Sequence, residues 1–156
     1  MDIGIAVTLH VLAAIIWVGG MFFAVYMLRP AAGPLTPEQR LPLWERTFGR
    51  FFPWVWASVI LLPATGYWMV FELHGGFADL PVPYHIMHVL GWAMVLIFLH
   101  LWFAPYARFR RALGAGDLAQ AGRQLNTIRL LVTTNLYLGL INAIIGPMGR
   151  YLDIID

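Results

Sequence analysis

The chain contains no cysteine and no lysine, and only eight of its 156 residues are acidic. Without cysteine there are no disulfides, iron–sulfur clusters or thiolate metal sites. No carboxylate lies deep in an apolar run, which argues against a carboxylate-based proton pump or ion carrier. Any metal or cofactor site inside the apolar part must therefore use imidazole, with methionine as the soft alternative.

What remains is strongly apolar. Hydrophobic residues make up 60% of the chain, and the mean hydropathy is +0.72, well above the usual globular mix. Four runs, Ile3–Leu28, Phe51–Phe71, Pro83–Ala104 and Ile128–Met148, each approach the ~20 residues that cross a hydrocarbon core. They are unbroken rather than alternating, so the expected fold class is all-α: one integral membrane four-helix bundle spanning the chain. The first run follows Met1-Asp2 without a basic leader and is expected to stay as a membrane anchor.

Arginines set the orientation. Arg29, Arg40, Arg46 and Arg50 fall in the first loop, and Arg108, Arg110, Arg111, Arg123 and Arg129 in or at the end of the third. The middle loop carries only Glu72 and Asp79. The positive-inside rule then places loops 29–50 and 105–127 in the cytoplasm and both termini outside, in a bacterial inner (plasma) membrane. The net charge of +2 is no sign of nucleic acid, because the basic residues sit at helix ends and in loops. Pro37–Arg50 mixes charge with Leu41, Leu43, Trp44 and Phe48, predicting a helix lying at the interface. Asp117, after Gly114-Ala-Gly116, predicts the cap of a short helix running into the fourth span.

Three of five histidines, His10, His88 and His100, lie inside the spans, where an ionisable group is a functional candidate by default. His10 is about 10 Å and His88 roughly 8 Å below the outer ends of spans one and three, at 1.5 Å per residue. If those spans face each other, the two imidazoles can ligate one haem iron or one metal ion. Beside His10 run Ala13, Ala14, Trp17, Met21 and Ala24, small enough for close approach, with Trp17 placed to line a cofactor edge. His85, one turn outside His88, is a candidate propionate partner or further copper ligand; His74 is expected at the surface. His100 lies about 18 Å deeper than His88 and cannot share its ligand set. It is a candidate for a second haem, for orienting a substrate or for relaying a proton. Asn135 and Asn142 share a face with Gly139 and Gly146, which predicts hydrogen bonding along a small-residue seam. Asn135 is also a candidate cofactor contact, and the small-residue stretch Gly139–Ala143 suggests a homodimer.

The run Leu9-His-Val-Leu-Ala-Ala-Ile-Ile-Trp-Val-Gly-Gly-Met-Phe-Phe23, followed by Leu28-Arg-Pro30, resembles the first helix of the copper-resistance D (CopD) membrane domain. It also resembles the start of HemJ-type, haem-associated protoporphyrinogen oxidases. The resemblance continues through His88 and His100 before a basic loop, Arg123-Gln-Leu-Asn126 and Asn135. The HemJ likeness implies an oxidoreductase pairing the first-helix histidine with a third-helix lysine. This chain has no lysine, and His88 lies close to that position. The CopD likeness implies copper handling, with Met21, Met87 and Met94 as available thioethers. The leading expectation is a b-type haem redox protein, His10 and His88 ligating haem b, with a quinone, porphyrin or periplasmic redox partner. The alternative is copper binding or transport through His10, His85 and His88.

Overall fold

The structure, a computed structural model, describes residues 1–78 and 80–152, with side chains through Met148. Asp79 and the side chains of Arg150 and Tyr151 lie outside that description. Four helices are long and apolar enough to cross a membrane: Ile3–Ala31, Pro37–His74, Val82–Gly114 and Leu118–Met148. The described residues hold no strand. The all-helical membrane bundle expected from the sequence is thus what the chain forms.

Six α-helical segments make up these spans. The first span is α1 (Ile3–Phe22), a π-helical turn (Phe23–Leu28) and the short α2 (Arg29–Ala31). The second is α3 (Pro37–His74) alone. The third joins α4 (Val82–Leu101) to α5 (Ala107–Gly114) through a second π-helical turn, Trp102–Tyr106. The fourth is α6 (Leu118–Leu152). Pro30 follows the first π turn and Pro105 lies within the second. A proline ring clashes with the carbonyl four residues back, and widening the turn relieves that clash. The sequence reading missed both.

The helix expected to lie along the interface at Pro37–Arg50 is instead the first third of α3, continuous with the span. The reason is one of phase. Buried Leu41, Trp44, Phe48, Phe52 and Val55 follow each other at three- and four-residue steps, so a single apolar stripe runs from the loop into the membrane. Thr36 starts this helix with a capping box closed by Gln39, and Pro37 fills its first turn. Its end is set by Gly75, at φ 68°. In the third loop, α5 continues the third span beyond the π-helical turn. It closes in a Schellman motif: Gly116 adopts φ 73°, its N–H donates to Leu113, and that of Asp117 donates to Ala112. Asp117 then caps α6, its carboxylate accepting from the Gln120 N–H at 2.8 Å, as its position predicts.

Helix α1 packs on α3 and α6, and α4 packs on α6. No comparable backbone packing joins α3 to α4; aromatic rings bridge them. Phe52 meets Phe98 at 5.7 Å and Trp56 meets Trp102 at 5.8 Å between ring centroids. Trp17 of α1 reaches the same rings, edge-on to Phe98 at 6.2 Å. This aromatic core, extended by Trp44, Phe48, Tyr106 and Phe109, fills the end of the bundle that carries the arginines.

Candidate functional site

At the opposite end the helices are held by polar contacts. Ser58 Oγ on α3 reaches the Ala13 carbonyl of α1 at 3.1 Å. One and a half turns further out, His10 Nδ1 stands 2.8 Å from Thr65 Oγ1. Thr65 has one hydroxyl hydrogen, and its oxygen lies 2.6 Å from the Leu61 carbonyl, to which it donates. With that hydrogen on the Leu61 carbonyl, the oxygen accepts from His10, and the neutral ring carries its proton on Nδ1. His10 Nε2 is left with a free lone pair and no hydrogen bond among the described residues. A second group holding Nδ1–H so that Nε2 is presented is how proteins prepare an imidazole to bind a metal. Gly66 packs beside this ring; a Cβ there would make an ordinary contact with His10 Cε1 at 3.5 Å.

His88 is also anchored on α3. Its Nε2 stands 3.5 Å from the Tyr67 hydroxyl, which in turn accepts from Trp92 Nε1 at 3.0 Å. The rings of Tyr67 and Phe77 both pack edge-on against His88 at 5.4 Å. Thr65 and Tyr67 are two residues apart, about 3 Å along the helix axis but about 200° around it. The two histidines thus bond to nearby positions of α3 that point to nearly opposite sides of that helix. The expectation that spans one and three face each other holds only through side chains: the backbone of α1 packs on α3 and α6 and that of α4 on α6, while Trp17 and Phe98 meet between them. Each histidine bonds to its own partner on α3 rather than to a shared centre. A cleft of about 570 Å³ lies at the arginine-rich end and is lined by Gly20, Phe23, Thr47 and Phe51, and by neither histidine.

The other candidates separate as well. His85 is exposed beside Phe77, at 6.4 Å between centroids. His74, expected at the surface, is half-buried against Tyr84 at 5.6 Å. His100 is exposed on the outer face of α4. Trp17 is 2% exposed and belongs to the aromatic core rather than to a cofactor edge. Among the described residues, no three His, Asp or Glu side chains gather to hold a metal ion.

The α4–α6 seam runs as its spacing predicts. Asn135 Nδ2 donates to the Met94 carbonyl at 3.2 Å, and Asn142 Nδ2 donates to the Met87 carbonyl at 3.4 Å. Gly139 and Gly146 let the methionine side chains lie flat: a Cβ would come within 3.1 Å of Met94 Cε and 3.2 Å of Met87 Cε. The Oδ1 atoms of both asparagines are buried without a partner. Because Gly139 is filled by Val18 and Met94 of the same chain, this seam no longer argues for a homodimer. Thr65, Tyr67 and Trp92 are the positioning residues that sequence reasoning passed over. Thr65 is visible there only as one more polar residue in a span.

Fold and seams together define a four-helix integral membrane protein with single, oriented imidazoles and a paired methionine–asparagine seam. The family model for copper resistance protein D (CopD) matches residues 45–146, and the chain belongs to that family. The match covers α4 and α5 whole, most of α3 and most of α6, and leaves out α1 with His10, the helix that carries the more distinctive pattern in the sequence. No curated protein and no solved structure matches the chain.

Proposed function

We propose that the protein handles copper(I) as cargo within the membrane. His10 and His88 are its imidazole donors at the arginine-poor end, His85 stands at the mouth, and Met87 and Met94 offer thioethers along the α4–α6 seam. Membership of the CopD family supports this reading. The observation that carries it is the His10–Thr65–Leu61 chain, which leaves the His10 Nε2 lone pair free. Imidazole and thioether suit copper(I), a soft ion that binds well at low coordination number. Donors spaced singly also suit an ion that must leave as well as arrive, since a closed cage would retain it. Met94 is one heptad beyond Met87, about 10 Å along α4, and each has an asparagine carbonyl oxygen nearby. With the arginine-rich end in the cytoplasm, copper meets the histidines on the outer side.

The test is metal analysis and an absorption spectrum of protein purified without chelators from copper-replete cells. Copper in stoichiometric amount and no Soret band is the expected result. A Soret band with about one haem b per chain, and no copper, would restore the haem reading.

A further inference from the structure

The arginine-rich end contains a second polar cluster that copper handling does not use. Arg29 at the start of α2, Arg40 in the first turns of α3 and Arg129 in α6 are charged neighbours. Trp44 lies among them, with the Arg129 guanidinium 5.4 Å above its ring. The cluster's polar contacts are few. Arg40 Nη1 donates to the carbonyls of Gly33 and Leu35 at 3.4 and 3.3 Å, and Arg129 Nη1 donates to Asn126 Oδ1 at 3.4 Å. Arg40 Nε, Arg129 Nε and Trp44 Nε1 are buried without a partner. Among the described residues the one ion pair is Arg110–Glu45 at 3.7 Å, so no carboxylate neutralises the three guanidiniums.

Neighbouring cations with three buried, orphaned donors among them are costly unless an anion with several acceptor oxygens completes them. We propose that Arg29, Arg40, Arg129 and Trp44 bind a phosphate group. A notch of about 10 Å³, lined by Arg29, Trp44, Arg129, Phe48 and Val132, has room for about one oxygen. The phosphate therefore sits at the mouth and sends one oxygen inward, while the planar guanidinium forks take the others. The cluster lies where the first, second and fourth spans leave the apolar zone, the level of lipid headgroups. A lipid phosphate and free inorganic phosphate offer the same chemistry. Bound there, either would tie α2, α3 and α6 together.

The experiment measures the thermal unfolding midpoint of delipidated protein in neutral detergent. Phosphatidylglycerol, phosphatidylcholine, and inorganic phosphate against chloride at equal ionic strength are each added. A midpoint raised by phosphatidylglycerol but not by phosphatidylcholine or inorganic phosphate assigns the site to an anionic lipid. An equal rise with inorganic phosphate over chloride assigns it to the free ion. In either case the rise is expected to vanish in Arg40→Gln and Arg129→Gln and to persist in Arg46→Gln. Arg129→Lys, which keeps the charge but loses the fork, is expected to lose most of it, and serves if Arg129→Gln does not fold. No rise with either phosphate, or a rise that survives in the Arg40 and Arg129 variants, overturns the proposal.

Discussion

The two ends of the bundle are built differently. At the arginine-rich end, Leu41, Phe52, Phe109, Leu125 and Ile128 are almost wholly buried, and rings pack tilted, stacked and edge-on in turn from Trp44 to Trp102. At the histidine end the buried side chains are mostly small or polar: Ala6, Ala13, Ser58 and Thr65. One end supplies cohesion through dispersion and close packing. The other holds a few oriented polar groups and keeps His10 and His88 only partly covered. The comparison teaches that a small membrane bundle can concentrate its packing at one end and leave oriented, incompletely paired donors at the other.

Substitutions should respect that division. Phe52→Ala removes the ring that touches Phe48, Phe98, Trp102 and Tyr106. It is expected to cost about 3–5 kcal/mol of stability, read as a large fall in the unfolding midpoint in detergent. Gly139→Val drives a side chain into Val18 and Met94, 2.7 and 3.1 Å from its Cβ position. The expected cost is about 1–3 kcal/mol, measured the same way. Asp117→Ala removes the cap of α6, for about 1 kcal/mol. Arg110→Ala breaks a largely exposed ion pair with Glu45 and should change stability by no more than about 1 kcal/mol. At the other end the contrast reverses. Thr65→Val should leave the unfolding midpoint nearly unchanged while weakening copper binding, because it frees the His10 ring from its fixed tautomer. A Thr65→Val variant that unfolds as readily as Phe52→Ala would erase the distinction between the ends.

Much of the fold was legible because length and hydropathy alone define a span, and 1.5 Å per residue sets depth. Matched depth for His10 and His88 is what that arithmetic predicts. Their azimuth does not follow from it, since azimuth depends on which helices are neighbours, and one sequence does not encode that in any local pattern. The continuity of α3 was legible in principle: the Leu41–Trp44–Phe48 stripe carries on in phase through Phe52 and Val55. Charge in the same segment drew the reading toward a separate interfacial helix. The Asn135–Met94 and Asn142–Met87 bonds needed only the seven-residue spacing of both pairs, and that spacing was visible.

The most direct test of the copper account is a competition titration of the purified protein with copper(I) against a chromogenic chelator. Wild type, His10→Ala, His88→Ala and His74→Ala are compared. The account predicts that the first two substitutions weaken binding at least tenfold, about 1.4 kcal/mol each, and that His74→Ala leaves it unchanged. Equal affinity in all four proteins would contradict it.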